Sequence, residues 1–203
     1  MRSKILEPQQ EHTFSYFYSL NNLLEDIVAE FGYTTALESL VLPRGSFDEQ
    51  RAEALRESYH TTLLYISLTT EVTWRELLHH AQVRINIEYP LNLENRLRRT
   101  LDYLLRGAQQ LMIMEAKRGD IEAGFNQLAV QLIALNEAEA TEASPRLLYG
   151  AVSSGSAWRF GVLDRATKHI VQNFKLYTLP DDTALLLSIL IGILGADTPN
   201  ADA

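Results

Sequence analysis

Leu111-Met-Ile-Met-Glu-Ala-Lys117 is the stretch whose reading decides the fold. Four apolar residues ahead of Glu115 describe a buried strand. At a strand's period of two, Glu115 and Lys117 share a face. Charged side chains are seldom buried unless they are paired or bound to something. Asp102 stands thirteen residues before Glu115, on the preceding apolar stretch. Two carboxylates and an ammonium in this arrangement are the residue types of a divalent-cation site with a positioned base.

The neighbouring stretch sets the geometry. Thr100 to Leu105 and Leu111 to Lys117 are joined by Arg106-Gly-Ala-Gln-Gln, which reads as a hairpin. Pairing Arg106 with Leu111 across a four-residue loop places Asp102 directly opposite Glu115, on one face of the antiparallel pair. A slip of one residue destroys that facing.

Upstream, His12 to Phe31 has the apolar spacing of one amphipathic helix, closed by Gly32 as C-cap. Thr34 to Leu42 is a second short element, ended by Pro43-Arg-Gly-Ser. A helix starts near Asp48, and Tyr59 to Leu68 fits helix or strand. Thr69-Thr-Glu-Val-Thr-Trp opens another helix. Val83 to Ile87 alternates as a strand, and Tyr89-Pro-Leu-Asn-Leu-Glu-Asn follows as a loop.

Downstream, Asp120 is the expected N-cap of a helix carrying Phe125, Leu128 and Leu132 on its apolar face. Strands are expected at Leu147–Val152, Ala157–Leu163 and His169–Tyr177, turned by Ser153-Ser-Gly-Ser and Asp164-Arg-Ala-Thr. A last helix begins near Pro180, and the tail from Asp197 frays. From Glu71 onward the order is α-β-β-β-α-β-β-β-α. This is an α/β protein with a mixed sheet flanked by helices. Residues 1–68 form an N-terminal helical extension, and residues 69–203 form the core with its C-terminal helix.

Phosphodiester hydrolysis needs a nucleophilic water and tolerance of charge on oxygen. Mg²⁺ or Mn²⁺ serves both needs, and these hard cations take carboxylate oxygens. A lysine beside the cation orients or deprotonates the water. Asp102, then Glu115-Ala-Lys117, then a helix with Gly124 and Gln127, resembles the PD-(D/E)XK nuclease superfamily. The resemblance runs from about Thr70 to about Leu194. The segments Met114-Glu-Ala-Lys-Arg-Gly-Asp and Leu148-Tyr-Gly-Ala-Val-Ser-Ser are similar to an uncharacterised, mostly bacterial group within it. The resemblance implies a restriction-endonuclease-like αβββαβ core. It also implies metal binding by Asp102 and Glu115, catalysis by Lys117, a further acid at Glu71 (or Glu76), and a glutamine at Gln127 behind the site. It implies DNA as substrate, and many members of the superfamily work as homodimers. Two features depart from the pattern: position 101 is Leu where a proline is frequent, and Gln131 stands where some groups carry tyrosine.

Several signals have a plain structural reading beside the functional one. Glu71 suits the first turn of any helix. Gln127 caps or packs if it does not serve the site. His79 and His80 point in different directions from a helix, which disfavours a shared metal. Trp158 and Arg159 either touch a base or belong to the core.

Composition narrows the field. The chain of 203 residues has no cysteine, which excludes disulfides, zinc–thiolate sites and thiol nucleophiles. That fits a cytoplasmic protein. The N-terminus lacks an apolar signal core. The most apolar stretch, 184–194, is too short to span a bilayer and reads as a packed helix, so no membrane partner is expected. The net charge of −8 counts against broad polyanion binding. Both flanks are acidic, while residues 71–120 carry 8 basic and 7 acidic side chains, with Arg96, Arg98 and Arg99 clustered before Asp102. The function expected is therefore metal-dependent phosphodiester hydrolysis on DNA. The alternative is a catalytically inactive module of the same fold that binds protein or nucleic acid.

Overall fold

The computed structural model describes residues 13–20, 23–63, 77, 85–93, 97–106, 110–115, 120–139, 141 and 144–195, with the backbone alone for 63, 85–93, 97–103, 106 and 110–115. In chain order the elements are α1 (Phe14–Tyr18), α2 (Leu24–Ala29), β1 (Thr34–Glu38), α3 (Glu49–Leu63), β2 (Ile85–Leu93), β3 (Leu97–Arg106), β4 (Gln110–Glu115), α4 (Ile121–Glu139), β5 (Leu147–Ser153), β6 (Ala157–Asp164), β7 (His169–Thr178) and α5 (Thr183–Leu194).

One mixed sheet organises the chain, in the order β1-β7-β6-β5-β4-β3-β2. Strands β2, β3 and β4 form an antiparallel meander. Strand β5 runs parallel to β4, and no tight turn can join parallel neighbours. The 19-residue α4 supplies the crossover between them. Strands β5, β6 and β7 are antiparallel again, and β1 lies parallel to β7 at the edge. β4 is an interior strand, between β5 and β3, which accounts for its unbroken apolar run.

Helices cover both faces. On one, α1, α2 and α4 pack Phe17, Val28, Leu128 and Leu132 against Leu104, Leu148 and Val152 of the sheet. On the other, α3 and α5 pack Leu55, Tyr59, Leu186 and Leu190 against Leu105, Ala151 and Phe160. The consecutive residues Leu104 and Leu105 enter different cores because strand side chains alternate. Each such side chain stabilises the fold by about 1.5–3 kcal/mol when fully buried. Gly150 and Gly161 pair across β5 and β6 and open a hollow for α4. A Cβ on Gly161 would run into the ring of Phe125, and one on Gly150 would sit 3.0 Å from Leu128.

The local signals behave as the sequence suggests in many places. Asp120 Oδ1 accepts the Ala123 N–H at 3.0 Å and caps α4. Asp48 Oδ1 accepts the Gln50 N–H at 2.9 Å at the head of α3. Gly32, at φ 77°, closes α2, and Gly195, at φ 56°, closes α5. The apolar 184–194 stretch is a packed helix, with Leu186, Leu190 and Ile193 buried.

Four expectations change. The single helix expected over His12–Phe31 is, among the described residues, two short helices, α1 and α2, with α1 ending at Tyr18 before Ser19, a residue type that favours caps and turns over helix interiors. The short element from Thr34 is strand β1, so the N-terminal stretch contributes to the sheet and is not purely a helical extension. The loop expected at Tyr89–Asn95 is strand as far as Leu93, with Pro90 paired to Thr100. Proline is tolerated there because β2 is an edge strand, where a missing N–H costs no ladder bond on the open side. The fourth change is the hairpin register, which bears directly on the site.

Candidate functional site

Strand β3 pairs with β4 as Tyr103↔Ile113, Leu104↔Met112, Leu105↔Leu111 and Arg106↔Gln110. Three residues, 107–109, connect the paired ends, one fewer than expected. Position 102 is therefore not opposite position 115. Glu115 ends β4 beside Ser153 of β5, and the row continues through Trp158 and Tyr177. In an unbroken pleat, positions 103, 113 and 115 share one parity and position 102 has the other. The hairpin alone does not bring the two acidic positions to one face. A change of pleat beyond the Tyr103↔Ile113 pair is required for them to converge.

The remaining predicted residues divide by place. Asp102 lies in β3 and Glu115 at the exit of β4. Lys117, Glu71, Glu76, His79 and His80 lie outside the described residues. In the basic cluster, Arg98 and Arg99 are on β3, paired with Asn92 and Leu91, and Arg96 lies outside the described residues. Among the described residues, no group of three or more His, Asp or Glu side chains is placed to hold a metal ion.

Gln127 lies on α4, 5% exposed, and its Oε1 has no hydrogen-bond partner among the described residues. One turn further on, Gln131 is fully buried, and neither its Oε1 nor its Nε2 has such a partner. A buried amide group left bare costs about 1–3 kcal/mol. These are the residues that sequence reasoning underused. Gln131 stood out only as a departure from tyrosine, although the i, i+4 spacing already placed it on the stripe of Gln127.

At the head of α4, Glu122 pairs with Arg159 of β6 and accepts a hydrogen bond from Gln172 Nε2 at 3.1 Å. Arg159 is thus engaged with a carboxylate. Trp158 is core, with its indole N–H donating to the Gly155 carbonyl at 3.2 Å. The Ser153–Ser156 stretch is a turn, in which the Gly155 N–H donates to Ser153 Oγ.

At the far end of α4 a polar group is linked through several side-chain hydrogen bonds. Tyr33 donates its hydroxyl proton to Glu137 Oε1 at 2.5 Å and accepts from Asn136 Nδ2 at 2.7 Å. Asn136 Oδ1 accepts from Arg165 at 3.0 Å, and Lys168 Nζ reaches Glu137 at 3.1 Å. Burial, with the Glu137 carboxylate beside it, pushes the Tyr33 phenol well above its ordinary range. The Tyr33 hydroxyl and Lys168 hold Glu137 below the usual carboxylate value. Burial pulls the Arg165 guanidinium down, countered by Glu139 and Tyr33. These residues join the α2–β1 turn, the end of α4 and the β6–β7 turn.

No family model matches the chain, and no curated protein is significantly similar to it. No helix of the described residues is long and apolar enough to cross a membrane.

Proposed function

We propose that the chain is a divalent-metal-dependent nuclease of the restriction-endonuclease-like class, hydrolysing phosphodiester bonds in DNA. One positional observation carries this reading. An acidic residue ends the last strand of a meander whose next element is a crossover helix, and a second acid lies on the adjacent strand. The order β2-β3-β4-α4-β5 supports the reading, since the sequence resemblance implies a βββαβ run within its core. Asp102 and Glu115, with Glu71 assisting, are oxygen donors of the kind Mg²⁺ or Mn²⁺ takes, so the donor set suits the cation in chemistry. When bound, the cation supplies positive charge against the charge that builds on the phosphate. Lys117 orients the attacking water and moves its proton, and Gln127 supports the site from α4.

The test is a plasmid-nicking assay with Mn²⁺, comparing the natural protein with Lys117→Ala and Asp102→Asn. Both variants are expected to lose about 100-fold or more in rate. Equal residual cutting in all three would remove the enzyme reading.

A second reading is favoured by the register. A three-residue connection leaves positions 102 and 115 out of phase, and the net charge is −8. Both suit an inactive module of the same fold that binds a partner. Salt dependence separates the two, because a DNA-cleaving protein loses affinity steeply as salt rises, through counterion release.

A further inference from the structure

We propose that Gln127 and Gln131 form an internal water-binding slot on α4, with a single water bridging the two side chains. The inference does not depend on the nuclease reading. At about 100° per residue, the two glutamines lie on one stripe, on the side of α4 away from Phe125. Phe125 marks the β6 side of the helix, where it fills the hollow at Gly161. α4 also touches β2, β4 and α1. Around these glutamines the helix is apolar: Leu128, Ala129, Val130, Leu132 and Ala134 are all buried.

The open hydrogen-bonding set is specific. Gln127 Oε1 and Gln131 Oε1 are acceptors, and Gln131 Nε2 is a donor. A guest that satisfies them must donate twice and accept at least once. A cation would leave the Nε2 protons bare, and an anion would leave both carbonyl oxygens bare. Water donates twice and accepts twice, so it matches this set, and the second glutamine is fully buried. Asn136, on the same helix and equally buried, shows the contrast, because its donor and acceptor are both taken by protein groups.

The experiment uses the full chain and the apolar isosteres Gln131→Met, Gln127→Met and the double variant. Water ¹⁷O relaxation dispersion counts long-lived internal waters, and Gln131→Met should hold fewer than the natural protein. The melting temperature of each single variant should fall, by about 2–6 °C. The double variant should fall by less than the sum of the two, because removing both partners removes the need for the bridge. A crystal structure should show an ordered water within hydrogen-bond distance of both side chains. A rise in melting temperature for Gln131→Met, an unchanged count of long-lived waters, or a protein side chain seated on these amides would overturn the proposal.

Discussion

Two stretches of α4 handle buried polarity in opposite ways. Near its C-terminus, Asn136 has every amide group matched, to Tyr33 and Arg165, and Glu137 collects Tyr33 and Lys168. Around its middle, Gln127 and Gln131 present three amide atoms without a partner among the described residues. Both stations belong to one helix with one continuous apolar stripe, so helix propensity and patterning do not distinguish them. The difference is in what the surrounding chain supplies. Two turns converge on the C-terminal station from distant parts of the sequence. Among the described residues, no protein hydrogen-bonding group reaches those Gln127 and Gln131 amide atoms in the same way. A closed network fixes the fold, whereas an open one has capacity for a ligand.

The strongest way to break this contrast is to open the closed station. Asn136→Leu strips partners from Tyr33 and Arg165 together and should cost about 3 kcal/mol, or roughly 6–12 °C in melting temperature. A loss no larger than that of Gln131→Met would mean the two stations are energetically alike. Next in size is Gly161→Ala, which forces the Phe125 ring and α4 away from the sheet. It should cost about 1–3 kcal/mol in chemical denaturation, with part regained in a Gly161→Ala/Phe125→Leu double variant. That result would show that apolar seating, common to both stations, is separable from their hydrogen bonding.

Tyr33→Phe should cost about 1–2 kcal/mol and should also change the pH profile. The folded-state pKa of Tyr33 is raised, so its contribution is complete below pH about 10 and is lost as pH climbs above that value. Glu137 is depressed, so its contribution is present above the unfolded carboxylate value, near 4.5, and is lost as pH falls through the folded value. Urea midpoints across pH should show both slopes flattened in the phenylalanine variant. Unchanged slopes would mean the hydroxyl does not couple to Glu137. The smallest effect is expected from Lys168→Gly. It gives up a half-exposed ion pair and relieves a lysine held at φ 53°, so the net change should stay within about 0.5 kcal/mol. A large loss would place Lys168 inside the closed network and not at its rim.

What was legible in the sequence was local. Asp120 and Asp48 announce helices because a carboxylate next to free backbone N–H groups is a local arrangement. The interior strand β4 is legible in Leu-Met-Ile-Met, because a strand flanked on both sides and covered on both faces has no solvent side. The Tyr33 and Asn136 partnership left no trace, since the two residues are 103 apart in the chain. Pro90 misled because a proline excludes central strands, and only the sheet order reveals that β2 is an edge. Of the candidate site, residue types and approximate order could be read, while the facing of Asp102 and Glu115 could not. One residue of loop length, three in place of four, reverses the parity of the hairpin.

By itself, then, the chain determined its alternation of helices and strands, the apolar run of β4, the packed α5, and the presence of two acids and an amine around the hairpin. These follow from periodicity and capping, which act over a few residues. Only the tertiary structure decided that β1 joins β7, that position 115 neighbours Ser153 and not position 102, and that Gln127 and Gln131 lack the partners Asn136 finds. Those outcomes depend on which remote segments meet, and register and partnership are set by packing across the sheet, not by neighbours in sequence.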